Sequence, residues 1–513
     1  MGCQASVLEA WGCLAVRERA EAYIPRRPEE TVLHETVAGH LETFLARQRE
    51  RDRPVPRFVE RELRKFLECG VAAHGFLRVH CDDCGMDRVV PYSCKCRGFC
   101  PSCCGRRMAD TAAHLADRVF PEEPVRQWVL SVPYPLRYRL AYDASLVTAV
   151  ARIFQRAVFA SIRRRAGMRS LNRRARSGAV LFIQRFSDAL NLDPHFHLLA
   201  MDGLYLEYGE DPPVFRRVSA PDDREVARVA RRIRQRVERL LKDRGLDLEA
   251  DAYGVDRLWD EQPLLAELYS ASVSGRVATG PRAGKSVVRL GAHPGERTPP
   301  ANPSCAASGG FSVHAGVAVP AHDRERLERL ARYAARPPVA TGRLSRLGDG
   351  RLLYRLKRRW SDGTSHVVYH PLELIERLAA LVPPPRYNII RYYGVLAPRS
   401  AFRPMIVPRP KEESVAPPAD RRDGVSAPGE RQTSRQDENG VQGKKGRNYS
   451  WARLMARVFE LDVLRCPRCG ERMRIMAAID SPEAIAKILA CLGLPIRPPP
   501  LAPAVSDPES RIF

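Results

Sequence analysis

Residues 193–202 limit the possible fold of this chain more than any other segment. They read Asp-Pro-His-Phe-His-Leu-Leu-Ala-Met-Asp, so two histidines flank a single large apolar residue. On a β-strand, where side chains alternate between faces, His195 and His197 point to one side and Phe196 points into a core. Two imidazoles on one face can share a divalent cation. A half-buried strand with two solvated histidines has the same pattern, and the rest of the chain decides between these interpretations.

The charge balance favours a nucleic-acid partner. The 513 residues carry a formal net charge of +24, and the sequence pI is about 9.8. Most of the positive charge is arginine, whose planar guanidinium suits phosphate. A generally arginine-rich composition would not by itself leave such an excess of cations over acids. The chain shows neither a run of about 18 apolar residues nor a basic and then apolar leader, so we expect no membrane helix and no secretory signal.

Half of the cysteines are crowded into one short segment. Seven of the 14 lie between Cys81 and Cys104. In a chain without a secretory signal, this crowding indicates metal binding rather than disulfides. Two pairs of the C-x-x-C type, Cys81 with Cys84 and Cys100 with Cys103, therefore predict one tetrahedral zinc site with four cysteine ligands.

The other cysteines leave alternatives open. Three further cysteines of the same segment could replace one of those ligands: Cys94, Cys96 and Cys104. Cys466 and Cys469 form a third C-x-x-C pair, which is half of a second zinc site. Its remaining ligands could come from Cys491, from a histidine or from a second chain.

Apolar periodicity predicts an α+β fold built on an antiparallel sheet. The β-branched and aromatic run at 179–186 predicts a strand, and the short connection 187–193 predicts that it pairs antiparallel with the histidine strand. The other predicted strands are 128–132, 272–278, 286–290, 310–319, 352–357 and 365–369. The predicted helices are 30–48, 57–67, 108–120, 143–165, 223–244, 323–336, 371–381, 449–464 and 482–492.

Arginines surround the predicted site. Seven of them lie within residues 163–176, a density that suits a phosphate-binding loop and equally a solvated tether. The arginines expected to contact DNA are Arg163, Arg164, Arg165, Arg173, Arg174, Arg185, Arg332 and Arg336. Tyr333 lies between the last two, on a helix that Asp323 can cap and Pro337 must stop. A tyrosine beside two guanidiniums could be a nucleophile, although alone it is more often a packing residue.

A series of motifs in a fixed order resembles a known family. The motifs are 57–70 (RFVERELRKFLECG), 94–103 (CKCRGFCPSC), 127–131 (QWVLS), 184–186 (QRF), 195–197 (HFH), 332–340 (RYAARPPVA), 392–398 (YYGVLAP) and 464–470 (LRCPRCG). In this order they resemble the rolling-circle transposases of the insertion-sequence-ninety-one type, including the common-region elements. The resemblance runs from about residue 30 to 500 apart from 408–448.

The resemblance implies an HUH nuclease that cleaves and rejoins single-stranded DNA through a 5′-phosphotyrosine. His195 and His197 match the two histidines of the family, and Tyr333 matches the segment of its catalytic tyrosine. Some relatives carry two tyrosines four residues apart. Here Arg329 stands four residues before Tyr333, so the chain resembles the single-tyrosine form.

Cofactors and partners follow from the same resemblance. It implies Mg²⁺ or Mn²⁺ at the active site, polarising the scissile phosphate, and structural Zn²⁺. The third ligand of the active-site metal is left open among Gln184, Asp202 and His314, in that order. The implied partners are single-stranded DNA at the ends of a mobile element and target DNA, in the bacterial cytoplasm at the nucleoid and away from membranes.

The resemblance also suggests a domain plan. We expect a variable N-terminus at 1–30, a helical DNA-binding domain with a four-cysteine zinc site at 31–120, and the HUH domain, an antiparallel sheet with flanking helices, at 121–407. Residues 408–448 are polar, with few apolar side chains, which predicts a disordered linker. A small helical module with the third C-x-x-C pair follows at 449–513.

Three alternatives stay open. Tyr392 competes with Tyr333 as nucleophile, although its neighbour Gly394 suggests the end of a helix. A non-catalytic, zinc-dependent DNA-binding protein would show the same charge and the same cysteine pairs. A rolling-circle replication initiator or relaxase would use the same chemistry.

Overall fold

The computed structural model describes residues 26–168, 174–208, 212–246, 256–292, 303–408, 451–459 and 462–505. The fold is α+β, as predicted. The predicted disordered linker lies, beyond residue 408, outside the described residues, and so does Arg173.

Helices and strands follow one another in short runs along the described chain. The α-helices are α1 (Val32–Glu50), α2 (Arg57–Glu68), α3 (Pro101–Arg118), α4 (Tyr134–Tyr142), α5 (Ala144–Arg165), α6 (Asp223–Asp243), α7 (Arg257–Glu261), α8 (Pro263–Val273), α9 (Arg324–Ala334), α10 (Pro371–Leu381), α11 (Arg403–Ile406), α12 (Trp451–Phe459) and α13 (Pro482–Cys491). The strands are β1 (Phe76–His80), β2 (Asp87–Pro91), β3 (Val125–Ser131), β4 (Ala175–Arg176), β5 (Gly178–Phe186), β6 (Leu192–Met201), β7 (Gly203–Leu206), β8 (Val214–Arg217), β9 (Val288–Leu290), β10 (Cys305–Ser308), β11 (Phe311–Val319), β12 (Leu344–Arg346), β13 (Leu352–Arg355), β14 (His366–Tyr369), β15 (Ile390–Gly394) and β16 (Arg474–Ile479). Three 3-10 turns accompany them at Pro28–Glu30, Ala72–His74 and Thr341–Arg343.

Six antiparallel strands form the central sheet, in the order β10-β11-β3-β6-β5-β15. The histidine strand β6 is an inner strand with β3 and β5 as neighbours. The predicted antiparallel pairing is confirmed, because Gln184 of β5 lies opposite His195 and Phe182 lies opposite His197.

Strand alternation gives this sheet two different faces. On one face, Phe196 and Leu198 pack with Trp128 in a core that also contains the buried sides of α5 and α6. On the other face, Phe182 and Leu199 pack with buried residues of α3 and α9. The two histidines of β6 alternate with Phe196 and Leu198, so they point toward the side of α9.

The cysteine region that follows α2 and the C-terminal segment meet in a small three-stranded sheet, in the order β16-β1-β2. Strand β16 comes from the C-terminal segment and pairs with β1, with Phe76 opposite Ile479. Helix α13 packs on this sheet through the buried side chains of Ile485 and Leu489. The C-terminal segment is therefore built into the N-terminal cysteine region.

One predicted strand is wrong. Residues 272–278 were expected to be extended because of their β-branched content, but α8 continues to Val273 and a turn follows. The helix is favoured because Leu264, Leu265 and Leu268 bury one of its faces in the core. Gly275, at φ +65°, supplies the left-handed conformation that commonly ends a helix.

Candidate active site and zinc centres

The two histidines of β6 lie side by side. Their ring centroids are 5.0 Å apart, and His197 is only 4% exposed. Burial lowers the pKa of both His195 and His197, and the arginines around the site add to this. Neutral imidazoles keep a lone pair that can bind a cation, so the pair has the protonation state that a metal ligand needs.

Each imidazole is held through its Nδ1 atom. His195 Nδ1 lies 2.7 Å from the carbonyl oxygen of Asp193, to which it can only donate. His197 Nδ1 lies 2.7 Å from the side-chain amide nitrogen of Gln127 on β3. His197 Nε2 is buried without a hydrogen-bond partner among the described residues. Hydrogen bonding at Nδ1 is how proteins orient an imidazole that offers Nε2 to a metal.

Tyr333 lies beside His197 of the histidine pair. Its ring meets the ring of His197 edge-on, with centroids 6.0 Å apart. The guanidinium of Arg336 lies 5.1 Å from the tyrosine ring centroid and the ammonium of Lys357 lies 4.7 Å from it. Asp323 starts the helix by accepting a hydrogen bond from the backbone of Arg326, as its position before the helix predicted.

Gln184 links the histidine strand to the tyrosine helix. Its amide nitrogen donates to the carbonyl oxygens of Tyr333 at 3.0 Å and of Ala334 at 2.8 Å. These carbonyls belong to the last turn of α9, where backbone acceptors lack partners within the helix. The other amide atom, Oε1, is buried without a partner among the described residues. A glutamine held in this way has one oxygen left for a cation.

Asp202 does not join the histidine pair. It lies beyond the end of β6, and its carboxylate pairs with Arg126 at 2.7 Å and with Arg165 at 3.3 Å. Two guanidiniums already compensate its charge. Asp202 was one of the expected alternatives for the third metal ligand, and the structure excludes it for this reason.

His314 is also too far from the pair to share a metal. It lies opposite Val129 on β3, and Val129 in turn lies opposite His197, so one whole strand separates the two histidines. Neighbouring strands are about 4.8 Å apart, which places two spacings between them. In the described part of the chain, three or more His, Cys, Asp or Glu ligand atoms come within 4.8 Å of one another only in two cysteine clusters.

Two of the arginines at the end of α5 form ion pairs inside the protein. Arg164 pairs with the buried carboxylate of Glu225, and Arg165 pairs with Asp202. Arg163, in the same turn, is half-buried. Each guanidinium already has a carboxylate partner inside the protein, and the expected contact of Arg164 and Arg165 with DNA stays a prediction.

The arginines next to the histidine strand have different roles. Arg185 is buried, donates to the carbonyl of Ala141 at 2.6 Å and stacks 4.9 Å from the ring centroid of Tyr387, so it is a core residue and not a DNA contact. Arg332 pairs with Glu328 at 3.2 Å on the same helix. Only Arg336 of this group lies against Tyr333.

Tyr392 lies on a strand and not at a helix end. On β15 it pairs with Val180, and it packs on the face of the sheet that α3 and α9 cover. Burial raises its pKa, which disfavours the phenolate. The guanidinium of Arg403 lies 5.8 Å from its ring centroid.

The first cysteine cluster contains Cys69, Cys94, Cys100 and Cys103. Its Sγ atoms are separated by 3.4 to 3.7 Å in the pairs that touch. Tetrahedral zinc with bonds of about 2.3 Å would set its sulfur atoms about 3.8 Å apart, whereas a disulfide brings them within about 2.05 Å. The separations therefore fit zinc. Cys69, at the end of α2, was not among the predicted ligands, because a single cysteine far from a C-x-x-C pair gives no signal.

The second cluster joins the hairpin of β1 and β2 to the C-terminal segment and contains Cys81, Cys84, Cys466 and Cys469. Cys81 Sγ lies 3.5 Å from Cys469 Sγ, and Cys84 Sγ lies 3.5 Å from Cys466 Sγ. A backbone hydrogen bond from Cys469 lowers the pKa of Cys466 to about 6, which favours the thiolate that zinc binds. The missing ligands of the third C-x-x-C pair thus come from the same chain.

The predicted grouping of the cysteine pairs is wrong. Cys81 and Cys84 do not share a site with Cys100 and Cys103, because β1 and β2 form a hairpin that carries the first pair away to β16. Cys94 belongs to the first cluster, as one of the predicted alternatives proposed. Neither Cys96 nor Cys104 is in a cluster in the described part of the chain. Cys491 is exposed and also stands outside both.

Two family models match the chain. Residues 178–402 match the model "Putative transposase", and residues 37–132 match the model "Transposase zinc-binding domain". The first match spans the histidine pair and Tyr333, and the second spans all four ligands of the first cysteine cluster. No curated protein and no solved structure matches the chain.

These matches define the chain as a transposase that contains a zinc-binding domain. The zinc-binding model is that of the insertion-sequence-ninety-one elements. The chain belongs to the transposases of the insertion-sequence-ninety-one type, as the order of its motifs predicted. Its zinc is structural and is held by the cysteine clusters.

Helix α5 is unusually long and apolar. By length and composition alone it could cross a membrane, the only described helix of which this is true. More than half of its apolar stretch is buried, and Phe154 and Ile162 lie in the core against the central sheet. An apolar helix in the core of a protein passes the same test.

Proposed function

We propose that this transposase cleaves and rejoins single-stranded DNA at the ends of its element as an HUH nuclease, through a 5′-phosphotyrosine on Tyr333, in rolling-circle transposition. One observation carries the proposal. The ring of Tyr333 lies 6.0 Å from the ring of His197, whose Nε2 atom is buried without a partner among the described residues. A buried polar atom without a hydrogen-bond partner is uncommon, and a bound ligand is one explanation for it.

His195, His197 and Gln184 would hold the active-site metal ion. The imidazoles are kept neutral by burial, and the Oε1 atom of Gln184 is free because the amide nitrogen already donates to the end of α9. Two nitrogen donors and one oxygen donor suit Mn²⁺ or Mg²⁺ and leave positions open for substrate. The bound ion would supply Lewis-acid polarisation of the scissile phosphate.

Tyr333 would be the nucleophile. The nearby cations of Arg336 and Lys357 would attract the phosphate to the tyrosine. In the cleavage step a bond forms between the tyrosine oxygen and phosphorus, and the bond from phosphorus to the 3′ oxygen breaks. The proton given up by the tyrosine ends on the released 3′-hydroxyl. Attack by a 3′-hydroxyl on the phosphotyrosine reverses these changes and rejoins DNA without ATP.

The substrate would be single-stranded or melted. The phosphate has to reach the space between β6 and α9, where His197 is 4% exposed. A base-paired duplex is too wide to enter such a space, whereas one extended strand can place a phosphate in line with Tyr333.

Helix α9 carries one tyrosine. One turn before Tyr333 stands Arg329, which pairs with the exposed Glu325. We therefore propose that Tyr333 acts in both strand transfers, either twice in one subunit or together with a second subunit.

The test is covalent capture of DNA. Wild-type protein, Tyr333→Phe and Tyr392→Phe are incubated with Mg²⁺ and labelled single-stranded DNA that carries the element end, and the products are separated on a denaturing gel. We expect a covalent protein–DNA band with wild type and with Tyr392→Phe, and none with Tyr333→Phe. Tyr392→Phe is a matched control, because its hydroxyl lies on the same side of the sheet but away from the histidines.

Other outcomes would redirect the proposal. Loss of the band in Tyr392→Phe alone would keep the nuclease and change its nucleophile. A folded wild type that binds this DNA and forms no covalent product with either element end would identify a non-catalytic DNA-binding protein.

A further inference from the structure

Helices α5 and α6 lie side by side on the face of the central sheet opposite to Tyr333. They run antiparallel, and contacts fix both ends. Arg164, near the end of α5, pairs with Glu225 in the first turn of α6. Arg244, just after α6, donates to the hydroxyl of Ser145 at the start of α5 at 3.2 Å. The outer sides of the two helices therefore form one continuous surface.

A groove with a volume of about 420 Å³ runs between these helices. Its floor is apolar and consists of Ala149, Ile153 and Leu240. Its rim consists of four exposed arginines, Arg152 and Arg156 from α5 and Arg236 and Arg239 from α6, with Asp243 at one end. Arg152 and Arg156 are one helical turn apart, about 6 Å along the axis.

The charge of the rim is not compensated. The sequence of α5 contains five arginines and no acidic residue. In the described part of the chain, none of the four rim arginines has an acidic partner within 4.0 Å, although Arg234 on the same α6 pairs with Glu238 at 2.7 Å. The positive charge continues along α6, where burial and the repulsion from Arg236 lower the pKa of Arg232. Like charges held together without a counter-charge favour a polyanion.

We propose that the groove between α5 and α6 binds the phosphate backbone of a second, double-stranded DNA segment. Guanidiniums on both walls can contact phosphates across the groove. The lining contains no aromatic ring, and sites for single strands stack bases on aromatic side chains, so a single strand gains little here. Because the sheet separates the groove from Tyr333, the enzyme holds a duplex and a single strand at the same time. The inference rests on the proposed function in one respect, because it adds a second DNA segment to the single strand cleaved at Tyr333. Binding of duplex DNA to the groove does not itself require cleavage.

The test is the salt dependence of duplex binding, measured on the full zinc-loaded chain by fluorescence anisotropy with a short labelled duplex of arbitrary sequence. The groove variant changes Arg152, Arg156, Arg236 and Arg239 to Gln. The control variant changes Arg27, Arg257, Arg346 and Arg351 to Gln, which removes the same charge from arginines that are exposed and ion-paired elsewhere. Each lost phosphate contact lowers the slope of log affinity against log salt by about 0.9, so we expect a loss of about 3 to 4 in the groove variant. The control variant should keep a slope close to that of wild type.

Two further variants keep the test decisive. Changing only Arg152 and Arg156, or only Arg236 and Arg239, should remove about half of that slope each. Zinc content and thermal unfolding equal to wild type would establish that the variants fold. Covalent capture of single-stranded DNA should be unchanged in all of them, so a failure of the proposed nuclease is seen separately.

Equal duplex slopes in the groove and control variants would overturn the proposal. A groove variant that loses affinity for single strands of the same length while keeping duplex binding would overturn it as well, and would assign the groove to a single strand.

Discussion

Gln127 contacts His197, although the motif that contains it, 127–131, did not mark it as a site residue. It stands on β3, and its amide nitrogen lies 2.7 Å from His197 Nδ1. The amide can turn either end toward the ring, and its oxygen accepts if Nδ1 carries the proton. In that arrangement Nε2 keeps its lone pair for a cation. Gln127 would then be a positioning residue that acts through His197.

We predict that Gln127→Ala weakens Mn²⁺ binding by about 10- to 100-fold, the usual cost of losing a partner of a metal-binding histidine. Gln127→Glu should retain most of the affinity, because its carboxylate still accepts from Nδ1. Isothermal titration with Mn²⁺ and the rate of single-strand cleavage would measure both effects. If Gln127→Ala bound Mn²⁺ like wild type, the amide would have no positioning role.

Buried Glu376 should make the stability of the protein depend on pH. Burial raises its pKa to about 7, although the backbone of Ala278 and Thr279 donates to it at 2.9 Å. Between the ordinary value of 4.5 and about 7, the folded chain holds a proton that the unfolded chain has released. The free energy of unfolding therefore falls as pH rises through this window, by about 3 kcal/mol in total.

Denaturant unfolding of the zinc-loaded protein at several pH values would measure this dependence. Glu376→Gln should flatten the curve between pH 4.5 and 7, and exposed Glu261→Gln should leave it unchanged. Curves of wild type and Glu376→Gln that run parallel would show that Glu376 does not titrate in this window.

At the scale of elements, α9 is fixed by its neighbours as much as by its own sequence. Gln184 holds its last turn, and Glu328 on its buried side pairs with Arg457 of α12 at 2.6 Å and with Arg332 at 3.2 Å. The Glu328 side chain is only 6% exposed. Removing Glu328 takes a carboxylate partner away from both arginines, although Arg457 still pairs with Asp117.

We predict that Glu328→Ala lowers the free energy of unfolding by about 2 kcal/mol, less than for a fully buried pair because both arginines are partly exposed. Arg329→Ala on the exposed side of the same helix should change it by less than about 0.5 kcal/mol. Chemical unfolding of the two variants would test this difference. A Glu328→Ala protein as stable as Arg329→Ala would mean that α12 contributes nothing to the position of α9.

At the scale of the whole molecule, the second zinc site closes the chain on itself. Its ligands come from two pairs, and Cys81 and Cys469 are 388 residues apart in sequence. Strand β16 pairs with β1 beside it, so zinc and sheet hold the C-terminal segment together. A metal bound only by the folded chain adds its binding energy to folding.

We predict two zinc ions per chain by metal analysis. Changing Cys466 and Cys469 to Ser, or Cys81 and Cys84 to Ser, should each leave one, because both changes destroy the same site. Combining the two changes should still leave one, held by the first cluster. If the combined variant retained none while each double variant retained one, the pairs would belong to different sites.

Much of the local structure was predictable from the sequence. The period of two at 193–202 predicted a strand with both histidines on one face, and the period near 3.6 predicted α5, α6 and α9 within a few residues of their ends. These features depend on neighbours along the chain. The strand predicted at 272–278 was wrong. Burial of one face of α8 outweighed the β-branched content at the end of that helix.

The order of residues was enough to establish that cysteines bind zinc, that two histidines share a face and that the chain is a transposase of this type. The packed fold was needed to establish which cysteines share a site, that Gln184 and Gln127 stand beside the histidines, and that Arg164, Arg165 and Arg185 are used internally. The difference arises from distance along the chain. Spacing and periodicity describe residues that are close in sequence, whereas a ligand set or an ion pair depends on which distant strands and helices pack together.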